Sequence, residues 1–156
     1  MAATRVFLDT DVLINWLAKE VEPGGGKALW KASYQILKRI EAGKLAGFIT
    51  LVNLMEIVFV LRRKKRWSEE QIAGAMSKIQ RIPNLTVLVP TDADMIAAYN
   101  LQRAYPLGPF DALYYAMARG TADFLISRDQ GLLTIVNQAE QREMALTTED
   151  FLKKVK

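Results

Sequence analysis

The chain has 156 residues, 51% of them hydrophobic and 24% charged, which is enough for one domain with its own core, and we expect a single domain over residues 1–156. A formal net charge of +4 favours an anionic partner such as nucleic acid. Because the sequence contains neither cysteine nor histidine, disulfides, thiolate or imidazole metal ligands and histidine acid–base catalysis are excluded, and any chemistry must use oxygen.

The start of the chain and its apolar runs bear on where the protein resides. Residues 1–5 lead directly into a short apolar strand, whereas a secretory signal has a basic region followed by a longer apolar stretch. No apolar run approaches the ~18–20 residues that are required to span a bilayer. We therefore expect a cytoplasmic protein without a membrane segment.

The first half of the chain alternates short apolar segments with helical patterns. Residues 5–9 are typical of a buried strand, and apolar positions at helical spacing follow over Val12–Leu17. After a glycine-rich loop, a second helical pattern ends at Gly43, and residues 46–50 predict a second strand. The helix that we predict over about 51–65 is apolar around nearly its whole circumference, so we expect it to be well buried.

The second half continues this alternation. Ser68 and Gln71 predict a capping box at the start of a helix that ends before Pro83. Strands separated by helices imply right-handed crossovers, so we predict an α/β fold with a mostly parallel central sheet of four to five strands and helices on both faces. The further predicted elements are a strand at 85–89, a helix from Thr91 or Asp92 to about Tyr105, a helix at 110–119, a strand at 124–127, a helical turn at 132–136, an edge strand at 144–146 and a terminal helix after Thr147.

Four acidic residues lie where such a sheet gathers ligands. Because ligands bind at the carboxyl ends of parallel strands, acids in these segments are expected at one edge of the sheet. Converging carboxylates repel one another, and a hard divalent cation with oxygen ligands relieves that repulsion. The pattern therefore predicts a Mg²⁺ or Mn²⁺ site that serves phosphoryl transfer. The acids are Asp9 at the end of the first strand, Glu56 in the helix after the second, Asp111 at a helix start and Asp129 after the fourth strand.

Each of these acids also has a structural interpretation. Asp9 and Asp111 are placed to cap the helices that they precede or open, and Asp129 is placed to cap the turn after its strand. Taken singly, capping is the commoner role. Glu56 lies inside an apolar run, where an ionised carboxylate is costly to bury unless it is compensated. We therefore favour a functional role for Glu56 and for the four acids as a set.

Four segments of the chain form an ordered set of motifs. They are Val6–Thr10, the spacing Thr50…Asn53…Glu56, Phe110–Leu113 with Ala116, and Leu125–Asp129. Together they resemble the successive motifs of PIN domains, in particular those of VapC-type toxins. Each motif alone is weak, but the four occur in the right order on the right element types and cover essentially the whole chain. The resemblance implies an endoribonuclease that cleaves single-stranded or loop RNA.

The same resemblance assigns roles to individual residues and partners. Asp11 departs from the family pattern, because many PIN domains have Asn or Ser there, and we expect it to cap the first helix outside the ligands of the metal. The protein would be the toxin of a VapBC-type pair, with a small antitoxin partner and a homodimeric assembly. The catalytic and metal-binding acids would be Asp9, Glu56, Asp111 and Asp129, with Mg²⁺ or Mn²⁺ as the cofactor and the nearby hydroxyls of Thr10, Thr50 and Ser127 positioning water or a carboxylate.

Basic residues near the predicted acids are candidates for RNA contact. The run after residue 61 combines cations, which bind backbone phosphates, with an indole, which stacks on a base. The run also suits a structural role, because cations complement a helix C-terminus and the indole is placed to pack against the next helix. Two further arginines lie near acids, where they would balance charge or contact phosphate. The candidate contacts are Arg62, Arg63, Lys65, Trp67, Arg119 and Arg128.

Two other functions agree with parts of the pattern. Residues 7–12 also resemble the opening motif of haloacid-dehalogenase-like phosphatases, with Asp9 as nucleophile and Asp11 as acid–base residue. The downstream lysine and the paired acids of that family have no matching arrangement here, and Glu56 would have no role. The second alternative is a catalytically weak PIN-like module that binds RNA or protein. Retention of all four acids favours the nuclease over such a module.

Overall fold

Five strands run through residues 2–155, which are the residues that the structure, a computed structural model, describes. All pairings between these strands are parallel, and the central strand of the sheet is the first strand in the sequence. The strands are β1 (Thr4–Leu8), β2 (Leu45–Thr50), β3 (Leu85–Leu88), β4 (Phe124–Ile126) and β5 (Ala145–Leu146), and they lie in the order β3-β2-β1-β4-β5. The predicted α/β fold and its parallel sheet are confirmed, with β5 at the edge as expected.

Eight helices connect and cover the strands within the same residues. They are α1 (Thr10–Leu17), α2 (Leu29–Glu41), α3 (Leu51–Arg63), α4 (Glu69–Gln80), α5 (Asp92–Ala104), α6 (Pro109–Thr121), α7 (Gln130–Glu140) and α8 (Thr148–Lys154). In the described part of the chain, none of these helices combines the length and the apolar character that crossing a membrane requires.

The side chains of the central strand alternate between the two faces of the sheet. Val6 and Leu8 pack in a cluster with residues of α1, α2, α3, α4 and α8. Phe7 lies on the other face and packs with residues of α5, α6 and α7. All three side chains are fully buried. Because successive strand residues point to opposite faces, this alternation requires helices on both faces, as predicted.

Side-chain caps set where several of the helices begin. In a capping box, the hydroxyl of the cap residue accepts from the N3 backbone N–H, and the N3 side chain accepts from the backbone N–H of the cap residue. The predicted box before α4 is confirmed, and α5 starts after Thr91 as expected. The three boxes in the described chain join Thr50 with Asn53, Ser68 with Gln71, and Thr91 with Asp94.

Two helices differ from the prediction. The expectation that α3 is well buried is wrong, because only Asn53, Ile57 and Leu61 of this helix are buried, while Met55 and Phe59 are 71% and 57% exposed. A helix on one face of an open sheet is covered on one side only, so its apolar residues on the outer side remain in solvent. Helix α7 is a full helix and not a single turn, because it has both a side-chain cap and a buried apolar face.

The order of the strands creates a crevice at the carboxyl edge of the sheet. From β1 the chain moves to β2 and β3 on one side, and it then returns to β4 and β5 on the other side. The loops that leave β1 and β4 therefore diverge, and open parallel sheets bind ligands at such a point. Asp9 follows β1 and Ser127 follows β4, so two of the predicted motifs meet at this crevice.

Gly47 in β2 has no room for a side chain. We predict that Gly47→Ala lowers the free energy of unfolding by about 1–3 kcal/mol, because an added Cβ would lie 2.7 Å from Ile40 Cδ1 and 3.0 Å from Leu85 Cδ1, and Ile40 is fully buried. Urea unfolding measures the change. Gly74→Ala in α4 is the matched control, since a Cβ there meets no atom within 4 Å and should stabilise the helix by about 0.5–1 kcal/mol. Equal effects of the two substitutions would contradict this account.

Candidate active site

A pocket at the crevice between β1 and β4 is lined mainly by acidic side chains. All four acids predicted from the sequence line it, and they are joined by Asp11 and Glu20. The predicted acids come from the loop after β1, from α3, from α6 and from the loop after β4. The parallel sheet brings these distant segments to one edge, which is the expected convergence. The other lining residues are Thr10, Ile14 and Val60.

Asp9 is almost fully buried directly after β1. Its Oδ1 accepts a hydrogen bond of 2.7 Å from the backbone N–H of Thr10, which makes Asp9 the N-cap of α1. Its Oδ2 accepts a second bond of 2.7 Å from Ser127 Oγ. The capping interpretation and the pocket interpretation of Asp9 therefore describe the same geometry and do not exclude each other.

Ser127 links the two acids that follow the central strands. While its hydroxyl donates to Asp9, its Oγ accepts a hydrogen bond of 3.0 Å from the backbone N–H of Asp129. Asp129 Oδ1 caps α7 by accepting from the backbone N–H of Leu132 at 3.1 Å. Ser127 is buried, so a single hydroxyl sets the relative positions of both loops. The structure thus places the predicted auxiliary hydroxyl between two of the predicted acids.

Asp111 and Glu56 reach the pocket from helices and not from loops. Gly108 is the N-cap of α6 and Pro109 is its first residue, so the interpretation of Asp111 as an N-cap is wrong. Asp111 lies in the first turn of the helix, where its carboxylate is favoured by the helix dipole. Glu56 is half-buried on α3, and its Oε1 accepts a hydrogen bond of 2.8 Å from the hydroxyl of Tyr114.

Asp11 does not have the role that we expected. Since Asp9 caps α1, the prediction that Asp11 caps this helix is wrong. The Oδ2 of Asp11 accepts from the backbone N–H of Arg128 at 3.0 Å, while its Oδ1 is buried without a hydrogen-bond partner among the described residues. A buried polar oxygen without a donor is costly and indicates a missing partner such as a water or a cation. Asp11 therefore belongs to the pocket.

Three acids of the pocket, Asp9, Asp11 and Asp111, are held in conditions that disfavour their charge. Burial raises the pKa of Asp9 to about 8, with the charges of Asp11 and Glu56 adding to the effect and the hydrogen bonds from Ser127 and Thr10 opposing it. The pKa of Asp111 rises to about 7, mainly through burial and further through the charges of Asp9, Asp129 and Glu56. The pKa of Asp11 rises to about 6, again chiefly through burial. The pocket therefore has an excess of negative charge that a cation would relieve.

The donors in the pocket fit a hard divalent cation. They are carboxylate oxygens, and among residues 2–155 one buried oxygen of Asp11 has no hydrogen-bond partner. Magnesium and manganese prefer oxygen ligands of this kind. As the side chains stand, no three acidic residues within 2–155 are close enough together to hold an ion. Ion binding therefore requires some of the acids to come closer together, which their mutual repulsion opposes until a cation is present.

Hydroxyl and amide groups behind the acids form a connected network. Thr50 caps α3, with its Oγ1 accepting from the backbone N–H groups of Val52 and Asn53 at 2.9 and 3.2 Å. Asn53 Nδ2 donates to Thr10 Oγ1 at 3.0 Å, and Thr10 Oγ1 lies 3.4 Å from the hydroxyl of Tyr114. Thr10 therefore lines the pocket, whereas Thr50 reaches it only through Asn53 and Thr10. Tyr114 is not among the site residues predicted from the sequence, although it lies three residues after Asp111 and hence on the same helix face.

A second network holds the loop after β4. Arg128 donates from Nη1 and Nη2 to the two carboxylate oxygens of Glu149 at 2.9 and 2.8 Å, and it also donates to Asn15 Oδ1, the Leu29 carbonyl and Thr148 Oγ1. Burial alone would raise the pKa of Glu149, but the hydrogen bonds from Arg128 lower it to about 2. The Arg128 side chain thus joins α1, α2 and α8 beneath the acids.

The other candidate RNA contacts lie in different settings. Trp67 is half-buried against the core, and Arg63 is exposed at the end of α3. The remaining three each pair with an acid: Arg62 with Glu69, Lys65 with Glu20, and Arg119 with Glu140. Arg62 and Arg63 line a groove along α3 that also contains Met55 and Phe59.

Comparison with known proteins assigns the chain to a family. Residues 6–137 match the model of the PIN domain family, and the chain belongs to it. PIN domains are nucleases, so the protein is a hydrolase that acts on nucleic acid. This assignment favours the nuclease over the phosphatase alternative. No curated protein gives a significant match.

Solved structures show the same fold at low sequence identity. A chain of a toxin–antitoxin complex from Klebsiella pneumoniae is 16% identical with a TM-score of 0.63, over 92% of this chain and 97% of that one. A chain of VapBC2 from Rickettsia felis, bound to a promoter DNA fragment, is 13% identical with a TM-score of 0.64, over 92% of this chain and 98% of that one. A protein from Pyrobaculum aerophilum is 20% identical with a TM-score of 0.62, over 99% of this chain and 97% of that one.

The raised pKa values predict how stability changes with pH in the absence of metal. The pKa of an aspartate in the unfolded chain is about 3.9. A carboxyl whose pKa is higher in the folded chain contributes stability that is complete below the unfolded pKa and is lost as the pH rises through the folded pKa. For Asp111 and Asp9, these folded values are about 7 and 8. We predict that the Tm in EDTA falls by about 4–8 °C between pH 6 and pH 9, as measured by calorimetry.

Two comparisons test this prediction. Asp9→Asn removes one buried charge and should reduce the fall in Tm over the same range of pH, and Mn²⁺ should reduce it in the unmodified protein. Glu149 has a lowered pKa of about 2 and therefore loses its stabilising contribution only in acid, below the range that is measured. A Tm in EDTA that is independent of pH would contradict the raised pKa values.

Proposed function

We propose that the protein is a Mg²⁺- or Mn²⁺-dependent endoribonuclease that cleaves single-stranded or loop RNA, and that it is the toxin of a VapBC-type toxin–antitoxin pair. The observation that carries the proposal is the convergence of Asp9, Glu56, Asp111 and Asp129 in one pocket at the carboxyl edge of the sheet. Membership of a nuclease family supports the same activity.

The pocket residues would have two kinds of role in phosphodiester hydrolysis, as ligands of the cation and as groups that position those ligands. Asp9, Glu56, Asp111 and Asp129 would hold the cation, and Asp11 offers a further oxygen. A bound divalent cation supplies the positive charge that neutralises these acids and favours attack of water on a phosphate. Ser127 fixes the positions of Asp9 and Asp129 relative to each other through its two hydrogen bonds. Thr10 links Asp9 to the network behind it, because its backbone N–H donates to Asp9 and its hydroxyl accepts from Asn53.

Two further pockets lie along α3 beside the acidic pocket and provide a path for RNA. Glu56 and Val60 line both the acidic pocket and a neighbouring apolar pocket that contains Phe59 and Phe110. Phe59, with Met55, also lines the next groove, which ends at Arg62 and Arg63. Exposed aromatic rings stack on unpaired bases and arginines bind phosphates, so this path suits a single strand. Of the other predicted contacts, Lys65 and Trp67 follow in the chain, while Arg119 and Arg128 are held by acids.

An antitoxin and a second copy of the chain complete the proposed assembly. The structural neighbours from Klebsiella pneumoniae and Rickettsia felis belong to toxin–antitoxin complexes. The exposed apolar face of α3 lies beside the acidic pocket, where a bound antitoxin would also block RNA. A separate apolar surface on and before α5, with Val89, Met95, Ile96 and Tyr99 exposed, suits a homodimer.

Cleavage of RNA tests the proposal directly. We predict that a labelled RNA of mixed sequence is cleaved with Mg²⁺ or Mn²⁺ and left intact with EDTA, and that Asp9→Asn and Asp111→Asn each lower the rate by about 100-fold or more. The reason is that each substitution removes a charged ligand from the pocket. Gel electrophoresis of the products measures the rate.

The control is Asp92→Asn, which removes an acid from the first turn of α5 as Asp111→Asn does from that of α6. Asp92 does not line the acidic pocket, so this variant should cleave at the unmodified rate. If folded protein without an antitoxin cleaves none of several RNAs, the nuclease proposal fails and a PIN-like binding module is the better description.

The groove along α3 makes a prediction about salt dependence. We predict that Arg63→Ala weakens binding of single-stranded RNA to a similar extent for different sequences, and that it lowers the slope of log K against log salt by about 0.7. The reason is the loss of one phosphate contact, and fluorescence anisotropy in EDTA measures binding without cleavage. Arg142→Ala is the control, because Arg142 bonds the Asp123 carbonyl before β4 at the opposite edge of the sheet. Equal slopes for both variants would remove Arg63 from the RNA path.

A further inference from the structure

Tyr114 is one of two adjacent tyrosines in α6 whose side chains are fully buried. Its ring packs against Phe7 of β1, with 6.0 Å between the ring centroids. Its hydroxyl donates to Glu56 Oε1 at 2.8 Å. Helix α6 therefore supplies two groups to the site, the carboxylate of Asp111 and, one turn later, a phenol that contacts Glu56.

The hydrogen bonds behind Tyr114 run in one direction. The Thr50 backbone N–H donates to Asn53 Oδ1 at 2.8 Å, so the amide of Asn53 is oriented with Nδ2 toward Thr10, to which it donates. A tyrosine hydroxyl has a single proton, and here it is given to Glu56. The Thr10 hydroxyl is therefore the donor in its 3.4 Å contact with Tyr114. The chain of donors starts at the cap of α3 and ends on a carboxylate of the same helix.

The hydroxyl of Tyr114 donates to only one of the two oxygens of Glu56. A donor to one carboxylate oxygen restricts the rotation of that carboxylate.

We propose that Tyr114 is a positioning residue for the metal site: it occupies Oε1 of Glu56 and thereby holds Oε2 as the atom that binds the divalent cation. This inference rests on the proposed function, because it requires that Glu56 is a ligand. Within residues 2–155 no three acids stand close enough together to hold an ion, so acids must move when the cation binds, and a carboxylate whose orientation is already restricted loses less freedom. Groups that orient metal ligands in this way typically contribute 10–100-fold in metal affinity or activity.

Tyr114→Phe and Tyr115→Phe form a matched pair of test variants. Each removes one hydroxyl from a buried ring in the same helix. The Tyr115 hydroxyl donates to Glu140 on α7, which also pairs with Arg119, and none of these residues lines the acidic pocket. Any general effect of removing a buried phenol should therefore be similar in both variants, whereas an effect through Glu56 should occur only in Tyr114→Phe.

The experiment measures Mn²⁺ binding to the full chain by titration calorimetry without RNA, and then cleavage as a function of Mn²⁺ concentration. For Tyr114→Phe, we expect the Kd for Mn²⁺ to rise about 10-fold or more, with an equal rise in the half-saturating concentration and recovery of most of the rate at excess Mn²⁺. For Tyr115→Phe, both values should stay within about 2-fold of the unmodified protein. The Tm values of both variants in EDTA should be alike.

The outcomes separate the failure of this inference from the failure of the proposed function. If the unmodified protein binds Mn²⁺ and cleaves RNA but Tyr114→Phe behaves like Tyr115→Phe, the role of Tyr114 is wrong and the nuclease stands. If the unmodified protein neither binds Mn²⁺ nor cleaves RNA, both are wrong. Should Tyr114→Phe alone be unstable, the Mn²⁺ titration is repeated well below the Tm of this variant: weaker binding by the folded variant supports the role, and unchanged binding overturns it.

Discussion

The crowding of carboxylates at the carboxyl edge of the sheet is the constraint on which the rest of the site depends. Asp9, Asp11 and Asp111 are removed from water and face one another's charge, so that their pKa values are raised. This arrangement opposes folding near neutral pH, and it persists because the same carboxylates also do structural work. Asp9 caps α1, and hydrogen bonds from Ser127 and Thr10 offset part of the cost of its burial. A cation would remove most of the remaining repulsion.

Two polar networks hold the acids from opposite sides. One begins at the capping box of α3 and passes through Thr10 and Tyr114 to Glu56. The other centres on Arg128, whose side chain is bound by Glu149 and whose backbone N–H donates to Asp11. Glu149 lies beyond residues 6–137, the part that matches the family model. The C-terminal helix thus takes part in holding the pocket, because Glu149 of α8 supplies the carboxylate that pairs with the half-buried Arg128.

The exposed face of α3 connects the site to its surroundings. The buried side of this helix packs on the sheet through Ile57 and Leu61, and its half-buried edge presents Glu56 to the pocket. The outer side presents Met55 and Phe59 to solvent. One helix therefore supplies a core face, an acid of the pocket and a wall of the neighbouring groove, which explains why apolar residues surround it. Under the proposed function, RNA and an antitoxin would compete for this groove, and such competition would inhibit the nuclease.

Local sequence determined most elements and their starts. The hydroxyl of Ser68 followed by Gln71 specified the start of α4, and alternating strands and helices specified a parallel sheet with the acids at its carboxyl edge. These features depend on residues that are neighbours in the chain. Only the tertiary structure decided that Asp11 belongs to the pocket, that Tyr114 contacts Glu56 and that Arg128 faces inward. The contacts of Asp11 and Asn15 with Arg128 and of Tyr114 with Glu56 join residues more than 50 positions apart, whose meeting depends on strand order. The burial of α3 was mispredicted for the same reason, since an apolar pattern shows which residues avoid water but not whether another element is there to cover them.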